Sequence, residues 1–143
     1  MAWSMSRPTL PPSTDGTAPI AVVVPTHNRA SLLPRLVSAL VAQEDVPGAE
    51  IVLVDDASTD ATPDVLANLL PSLEPTGQAI RLAHNRGPAT ARNIGWRTAS
   101  APLIAFLDDD CVPQPGWLAS LAASLADADI VQGRTLPDPE QRA

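Results

Sequence analysis

Three consecutive aspartates, Asp108, Asp109 and Asp110, directly follow the apolar run Leu103 to Leu107. Adjacent carboxylates repel one another, so a fold that keeps them together usually supplies a cation or a network of hydrogen-bond donors. Mg²⁺ and Mn²⁺ suit such oxygen ligands, because they commonly bind one or two carboxylates together with phosphate oxygens and water. The alternative is an acidic turn whose aspartates cap the next segment. The triplet alone therefore leaves two interpretations, a divalent metal site and a turn.

A second acidic pair, Asp55 and Asp56, follows the apolar run Ile51 to Val54. Asp and Ser residues often cap helices, and Thr62 is by itself a sufficient cap for the helix that should begin there. A carboxylate at the end of a buried strand can instead accept a hydrogen bond from a base N–H and so orient a nucleotide. The pair therefore indicates either a cap or a nucleotide contact.

The segment from Asn85 to Gly95 places Gly87 in a turn before a helix that carries Arg92. The free N–H groups at the start of such a helix, together with Arg92, suit a diphosphate. A turn glycine and an arginine on a helix surface also have an ordinary structural explanation. His27 follows the first apolar run, where we interpret it as a polar contact rather than a base.

Composition limits the classes of function that remain. The 143 residues suffice for one α/β domain, and 45% hydrophobic against 17% charged residues is a globular balance. The net charge is −7 and the chain has no lysine, so nucleic acid is not an expected partner. The one cysteine, Cys111, allows no intramolecular disulfide, and we expect a cytoplasmic location.

No segment approaches the ~18 apolar residues of a membrane-spanning helix. Residues 1–18 also lack the apolar core of a secretory signal, and we expect them to form a disordered tail. The segment 136–143 is polar and contains proline, as expected for a frayed end or for the cut linker of a longer protein.

The elements that must position these residues alternate between β-branched runs and segments with apolar residues at helical spacing. Gly and Pro residues separate them. The predicted strands are Ile20–Val24, Ile51–Val54, Ala79–Leu82, Leu103–Leu107 and a candidate fifth at Ile130–Val131; the predicted helices begin after a Ser31 cap, at Thr62, at about Pro88 and at Trp117.

This alternation predicts an α/β fold with a mostly parallel sheet, covered by helices on both faces and joined by right-handed crossovers. Ligands of such sheets bind beyond the carboxyl ends of the strands. The polar groups described above all follow strands, so we expect them to meet at one edge of the sheet.

Four segments, taken together, resemble the successive motifs of family 2 glycosyltransferases. They are Ala21–Arg29, Ile51–Asp60, Gly87–Gly95 and Phe106–Asp110 with Pro115, in the family's order, and the resemblance covers roughly residues 19 to 135. It implies a GT-A fold, a Rossmann-like half that binds a nucleoside diphosphate sugar, here as the N-terminal donor-binding portion of such an enzyme. The donor that it implies is of the UDP type.

The resemblance also implies roles for residues around the nucleoside. Pro25, His27 and Arg29 would line the nucleoside pocket, and Asp56 would pair with the base. Asp55 is its neighbour and a further expected contact.

The remaining implied roles concern the ribose, the diphosphate and the metal. Arg92 and the Gly87 turn would approach the diphosphate, and Asp109 would touch the ribose. Asp108 and Asp110 are the formal ends of the family's DxD element, with Asp110 as the main ligand of Mg²⁺ or Mn²⁺.

The implied reaction is inverting glycosyl transfer, which needs a general base to take the proton of the acceptor hydroxyl. No residue here matches that base, because we interpret Asp127, Asp129 and Asp138 as acids of a helix end or a tail. We therefore expect the isolated chain to bind a nucleotide with metal but to transfer sugar poorly. The acceptor, a glycan, a lipid or a small molecule, is not indicated by these residues.

Three other classes of protein share part of this pattern. A phosphate-accepting receiver domain needs a lysine at a strand end, and the chain has none. A dinucleotide-binding enzyme needs G-x-G-x-x-G after the first strand, which is absent. A non-catalytic domain that keeps a nucleotide pocket, or serves only for interaction, remains as the alternative.

Overall fold

The computed structural model describes residues 20–43, 46 and 48–138. These residues form a four-stranded sheet with helices between the strands. The strands are β1 (Ile20–Thr26), β2 (Glu50–Asp55), β3 (Gly77–Arg81) and β4 (Leu103–Phe106), and the helices are α1 (Leu33–Val41), α2 (Thr62–Leu69) with a 3₁₀ turn (Leu70–Leu73), α3 (Pro88–Thr98) and α4 (Trp117–Ser124). The tail expected at 1–18 and the last five residues of the expected polar end lie outside the described residues.

All strand pairs are parallel, in the order β3-β2-β1-β4. β1 and β2 lie at the centre, and their β-branched side chains are buried on both faces, as a doubly covered sheet requires. The register pairs Thr26 with Asp55 and Asp55 with Arg81, so these strands end level with one another. The predicted parallel sheet is confirmed, and its carboxyl edge gathers the polar residues that follow each strand.

Helices cover both faces of the sheet, as predicted. On one face, Val22, Val24 and Leu53 pack in a cluster with residues of α1, α2 and α4. On the other, Val23, Val52 and Val54 pack against α3. Since the side chains of a strand alternate between faces, the apolar runs of β1 and β2 supply both clusters.

Helix α3 lies unusually close to the sheet at Gly95. A Cβ built on this glycine would lie 2.3 Å from Cγ1 of Val23 and 3.2 Å from Cγ2 of Val54. Gly95 is therefore required for the approach of α3, the helix that begins at the predicted diphosphate loop.

The candidate fifth strand, Ile130–Val131, is wrong. The structure assigns no strand there, and Ile130 is 88% exposed. Two β-branched residues without a neighbouring strand gain neither ladder hydrogen bonds nor burial, and the local pattern could not show that the neighbour is missing. Every helix within the described residues is also too short or too polar to cross a bilayer.

The predicted helix caps are wrong as well. Ser31 lies in a turn before α1, whose N-cap is Leu32 without a side-chain hydrogen bond. Thr62 is the first residue of α2 rather than its cap, and its hydroxyl accepts a hydrogen bond from the Arg29 N–H. A partner 33 residues away thus takes the Thr62 hydroxyl, which local sequence cannot reveal.

Candidate functional site

A cleft of about 340 Å³ opens at the carboxyl edge of the sheet. The polar residues that follow β1, β2 and β4 meet there with the loop before α3. The cleft is lined by Pro25, Thr26, His27, Arg29, Asp56, Asn85, Gly87, Pro88, Arg92, Asp108, Asp109 and Asp110. Every site residue predicted from the sequence except Asp55 is in this lining.

The loops after β1 and β2 are joined by hydrogen bonds. The Asn28 N–H donates to Ser58 Oγ (2.9 Å), and Asn28 Oδ1 accepts from the Thr59 N–H (2.8 Å). Asn28 has a positive φ of 54°, a conformation that asparagine tolerates better than most side chains. The two loops therefore form one unit, so that wall of the cleft is set before any ligand binds.

The two aspartates after β2 have different environments. Asp55 is 1% exposed and lies beneath the cleft; its Oδ1 accepts from the Ser58 N–H (2.9 Å), and its Oδ2 is 3.7 Å from Arg81 Nε. Asp56 lines the cleft, and its two oxygens accept from the N–H groups of Arg86 (2.8 Å) and Gly87 (2.7 Å). Asp56 thus holds the loop that begins α3.

Asp56 can still accept a further donor, because each carboxylate oxygen has two lone pairs. Gly87 has a φ of 87°, which favours glycine at this turn. The carboxylate predicted for the base and the loop predicted for the diphosphate are thus in direct contact.

His27 is held by hydrogen bonds on both ring nitrogens. Its Nδ1 lies 2.7 Å from the carbonyl oxygen of Asp56, which can only accept, so Nδ1 carries the proton. Nε2 lies 3.2 Å from the side-chain amides of Asn28 and Asn85, where it can only accept. His27 thus links the loops after β1 and β2 to the segment before α3.

Two of the three consecutive aspartates are paired with arginines. Arg92 Nη2 lies 2.5 Å from Asp108 Oδ1, and Arg29 Nε lies 3.7 Å from Asp109 Oδ1. Asp110 is exposed, and its contact is the Cys111 thiol at 3.6 Å, with no arginine partner among the described residues. A cation can thus bind Asp110 without displacing an arginine, unlike the other two carboxylates of the triplet.

Burial raises the pKa of the Asp109 carboxyl. The Thr26 hydroxyl and the Arg29 guanidinium lower this pKa, and the charges of Asp110 and Asp108 raise it further.

Burial also raises the pKa of the Cys111 thiol, helped by the neighbouring Asp110 charge, so this cysteine is a poor nucleophile at neutral pH.

The donor set at the triplet fits a hard divalent cation. All of its ligating atoms are carboxylate oxygens at the rim of an open cleft, the chemistry that Mg²⁺ and Mn²⁺ prefer. Among residues 20–43, 46 and 48–138, no group of three or more His, Cys, Asp or Glu side chains is arranged to hold a metal ion by itself. A cation here would therefore depend on one or two carboxylates, with its other positions left for phosphate and water.

Several residues of the cleft were not identified from the sequence. Thr26 and Asn85 line it, while Asn28 and Ser58 hold its wall. Pro88 also lines it, and it belongs to the Gly87–Pro88 turn that the sequence predicted at the diphosphate. Asn85 lies within the Asn85–Gly95 segment, whose sequence drew attention to the Gly87 turn and to Arg92. Nothing in the local sequence separates the others from ordinary turn residues.

Comparisons with known proteins show the family of the chain. The model of the family described as "Glycosyl transferase family 2" matches residues 21–141. The chain is 36% identical over 137 residues to the succinoglycan biosynthesis protein ExoO of Rhizobium meliloti (strain 1021), an alignment that covers 88% of this chain and 38% of that protein.

Solved structures show the same fold. The S. aureus TarS fragment 1–349 in complex with UDP superposes with a TM-score of 0.69 at 26% identity, covering 84% of this chain and 38% of that one. The mannosyltransferase PcManGT from Pyrobaculum calidifontis, in complex with GDP-Man and Mn²⁺, gives 0.72 at 30% identity, with 83% and 35% covered. The chain thus spans little more than a third of the length of each of these proteins.

Proposed function

The chain belongs to glycosyl transferase family 2, and we propose that it is the part of such an enzyme that binds the nucleoside diphosphate sugar. The observation that carries this proposal is the cleft, in which residues from three strand ends and the start of α3 meet. We assign the donor-binding unit to residues 19–135. The single cysteine supports a cytoplasmic location.

The nucleoside would bind between the loops after β1 and β2, where Pro25, His27 and Arg29 line the cleft. Asp56 would accept a hydrogen bond from the base with a lone pair that the α3 loop leaves free. Asp55 has no such role in this proposal, because it lies beneath the cleft. A UDP-type donor is supported by the likeness to a protein solved with UDP.

The diphosphate would lie between the start of α3 and the aspartate triplet. The positive end of the 11-residue helix α3 and the guanidinium of Arg92 both attract phosphate. To reach it, Arg92 exchanges the Asp108 carboxylate for a phosphate oxygen, a change between two charge-assisted hydrogen bonds. Asp109 would contact the ribose.

A divalent cation, Mg²⁺ or Mn²⁺, would be held by Asp110 with Asp108 as the second carboxylate, and it would neutralise charge on the departing diphosphate. The likeness to a protein solved with GDP-Man and Mn²⁺ supports this assignment. The main support from this chain is that Asp110 has no arginine partner among the described residues.

We propose that the reaction is inverting. The acceptor oxygen would form a bond to the anomeric carbon while the bond to the diphosphate breaks, and the hydroxyl proton would pass to a base. Among the acids of the cleft, Asp56 holds the α3 loop, Asp108 and Asp109 face arginines, and Asp110 is assigned to the cation. Asp127 and Asp129 do not line the cleft. The base would therefore be a residue other than these acids.

Isothermal titration of UDP with and without Mn²⁺ tests the donor site. We expect Mn²⁺ to tighten UDP binding, and Asp110→Asn to remove about tenfold or more of that gain, roughly 1.4 kcal/mol. Asp127→Ala, at an exposed acid outside the cleft, is the matched control and should leave the gain intact.

Each part of the proposal can fail separately. If the wild type does not bind UDP, the proposed donor site is wrong. If Mn²⁺ does not change the UDP affinity of the wild type, the proposed metal role is wrong. A donor-hydrolysis assay tests the missing base, because turnover of a UDP-sugar at ordinary enzymatic rates by this chain alone would contradict it.

A further inference from the structure

Gln43, just beyond the end of α1, is a buried polar residue with all of its side-chain hydrogen-bonding groups in use. It is 8% exposed. Its Nε2 donates to the carbonyl oxygens of Gln114 (2.9 Å) and Ala39 (3.3 Å), and its Oε1 accepts from the N–H of Leu118 (3.1 Å). These contacts span 71 and 75 residues of sequence, so Gln43 joins the end of α1 to the start of α4.

The start of α4 has no cap from its own sequence. Its N-cap is Gly116, which has a φ of 76° and no side chain that could accept from the helix. The first amides of a helix lack intrahelical partners, and the Leu118 N–H is one of them. Gln43 supplies that acceptor from another helix, while its donor holds the carbonyl of Gln114, to which the Trp117 N–H also donates.

The loop between the aspartate triplet and α4 has open space behind it. A cavity of about 380 Å³, separate from the cleft, lies between this loop and α1. Loop residues 112–115 form one wall, and α1 forms the other with Arg35, Ser38 and Ala39. The amide of Gln43, just beyond α1, bridges this helix and the loop.

Asp110 lies at the other end of the same loop. The upstream side of the triplet is held by the sheet, because the Leu107 N–H donates to the Val23 carbonyl. Downstream, the Cys111 N–H closes a turn onto the Asp108 carbonyl, and Pro113 is buried. Only three residues separate Asp110 from Gln114, so a displacement of Gln114 reaches the Asp110 carboxylate through a short, proline-containing segment.

We propose that Gln43 is a positioning residue for Asp110, holding the loop after the aspartate triplet so that this carboxylate stays at the rim of the cleft. The inference rests on the proposed metal role of Asp110. Glutamine is required because the position needs two donors and one acceptor on one planar group. Glutamate lacks the donors, and methionine lacks both kinds of group.

The test compares UDP binding with and without Mn²⁺ in Gln43→Met, a variant of similar length. We expect the gain in UDP affinity that Mn²⁺ gives to fall by about tenfold in this variant, as for other residues that orient a metal ligand. UDP binding without metal should stay nearly unchanged, because its proposed contacts come from the loops after β1 and β2, from α3 and from Asp109, none of which hydrogen-bonds to Gln43. A general loss of structure would weaken both affinities together.

Gln114→Ala is the matched control, because Gln43 binds the carbonyl of Gln114 and not its exposed side chain. It should keep the full gain from Mn²⁺. If Gln43→Met fails to fold, Gln43→Asn is the second test variant. Its amide is one methylene too short to reach both Gln114 and Leu118. We therefore expect this variant to lose an intermediate part of the gain in UDP affinity that Mn²⁺ gives.

The outcomes separate the inference from the function on which it rests. If Mn²⁺ does not change the UDP affinity of the wild type, the proposed metal role of Asp110 is wrong, and the role of Gln43 is wrong with it. A wild type that responds to Mn²⁺, with an equal response in the folded Gln43 variant, would overturn the role of Gln43 alone.

Discussion

The close approach of α3 to the sheet at Gly95 makes Gly95→Ala an informative perturbation. The added Cβ would lie 2.3 Å from Cγ1 of Val23, whereas ordinary van der Waals contact begins at 3.4 Å, so either α3 or Val23 must move by about 1 Å. Val23 is fully buried, and Val54 lies 3.2 Å from the same Cβ, so the valine has little room to turn away.

Two opposing effects determine the free energy of unfolding. Alanine is favoured over glycine in a helix interior by about 1 kcal/mol. Overpacking of a tight core costs about 1–3 kcal/mol, and the severity of this overlap places the cost near the upper end. We therefore expect Gly95→Ala to destabilise the protein by about 2 kcal/mol, measured by urea denaturation at equilibrium.

A double-mutant cycle with Val23→Ala isolates the contact. Val23→Ala removes the clashing methyl group, so in that background Gly95→Ala should be neutral or stabilising by up to about 1 kcal/mol. An increase in stability on Gly95→Ala in the wild-type background would refute this reasoning. It would mean that helix propensity outweighs the contact and that α3 does not lie against the sheet at this point.

Two further predictions concern the loops of the cleft. Asp56→Asn should lower the free energy of unfolding by about 2 kcal/mol, because the NH₂ group of asparagine cannot accept a hydrogen bond from one of the two N–H groups of Arg86 and Gly87. Asp64→Asn, which changes an exposed acid, is the control. Equal losses of stability in the two variants, measured by urea denaturation, would contradict the role of Asp56 in holding the loop before α3. Hydrogen bonds from Thr62 lower the pKa of Asp60, so this acid stabilises the fold above its ordinary pKa of 3.8, and the contribution is lost as the pH falls through the lower native value. The stability difference between wild type and Asp60→Asn, followed by thermal unfolding from pH 7 downwards, should therefore shrink below pH 3.8, and a difference that grows there would be inconsistent with the shift.

Sequence alone was sufficient to predict the parallel α/β sheet and the edge at which polar residues collect. The runs in β1 and β2 are apolar on both faces, and a strand buried on both faces must lie inside a sheet covered by helices. Parallel strands place their carboxyl ends at one edge, so the residues after each strand meet whatever the details of packing. Ile130–Val131 shows the limit, because two apolar residues become a strand only beside a partner.

Only the tertiary structure decided what each side chain does at that edge. Asp55 and Asp56 are neighbours of the same type, yet one lies beneath the cleft and the other lines it, because successive side chains point in different directions as β2 ends. The partners of Asp56 lie 30 and 31 residues away, and those of Gln43 lie up to 75 residues away. Such contacts depend on how the helices and loops pack in space, and neither periodicity nor local motifs carry that information.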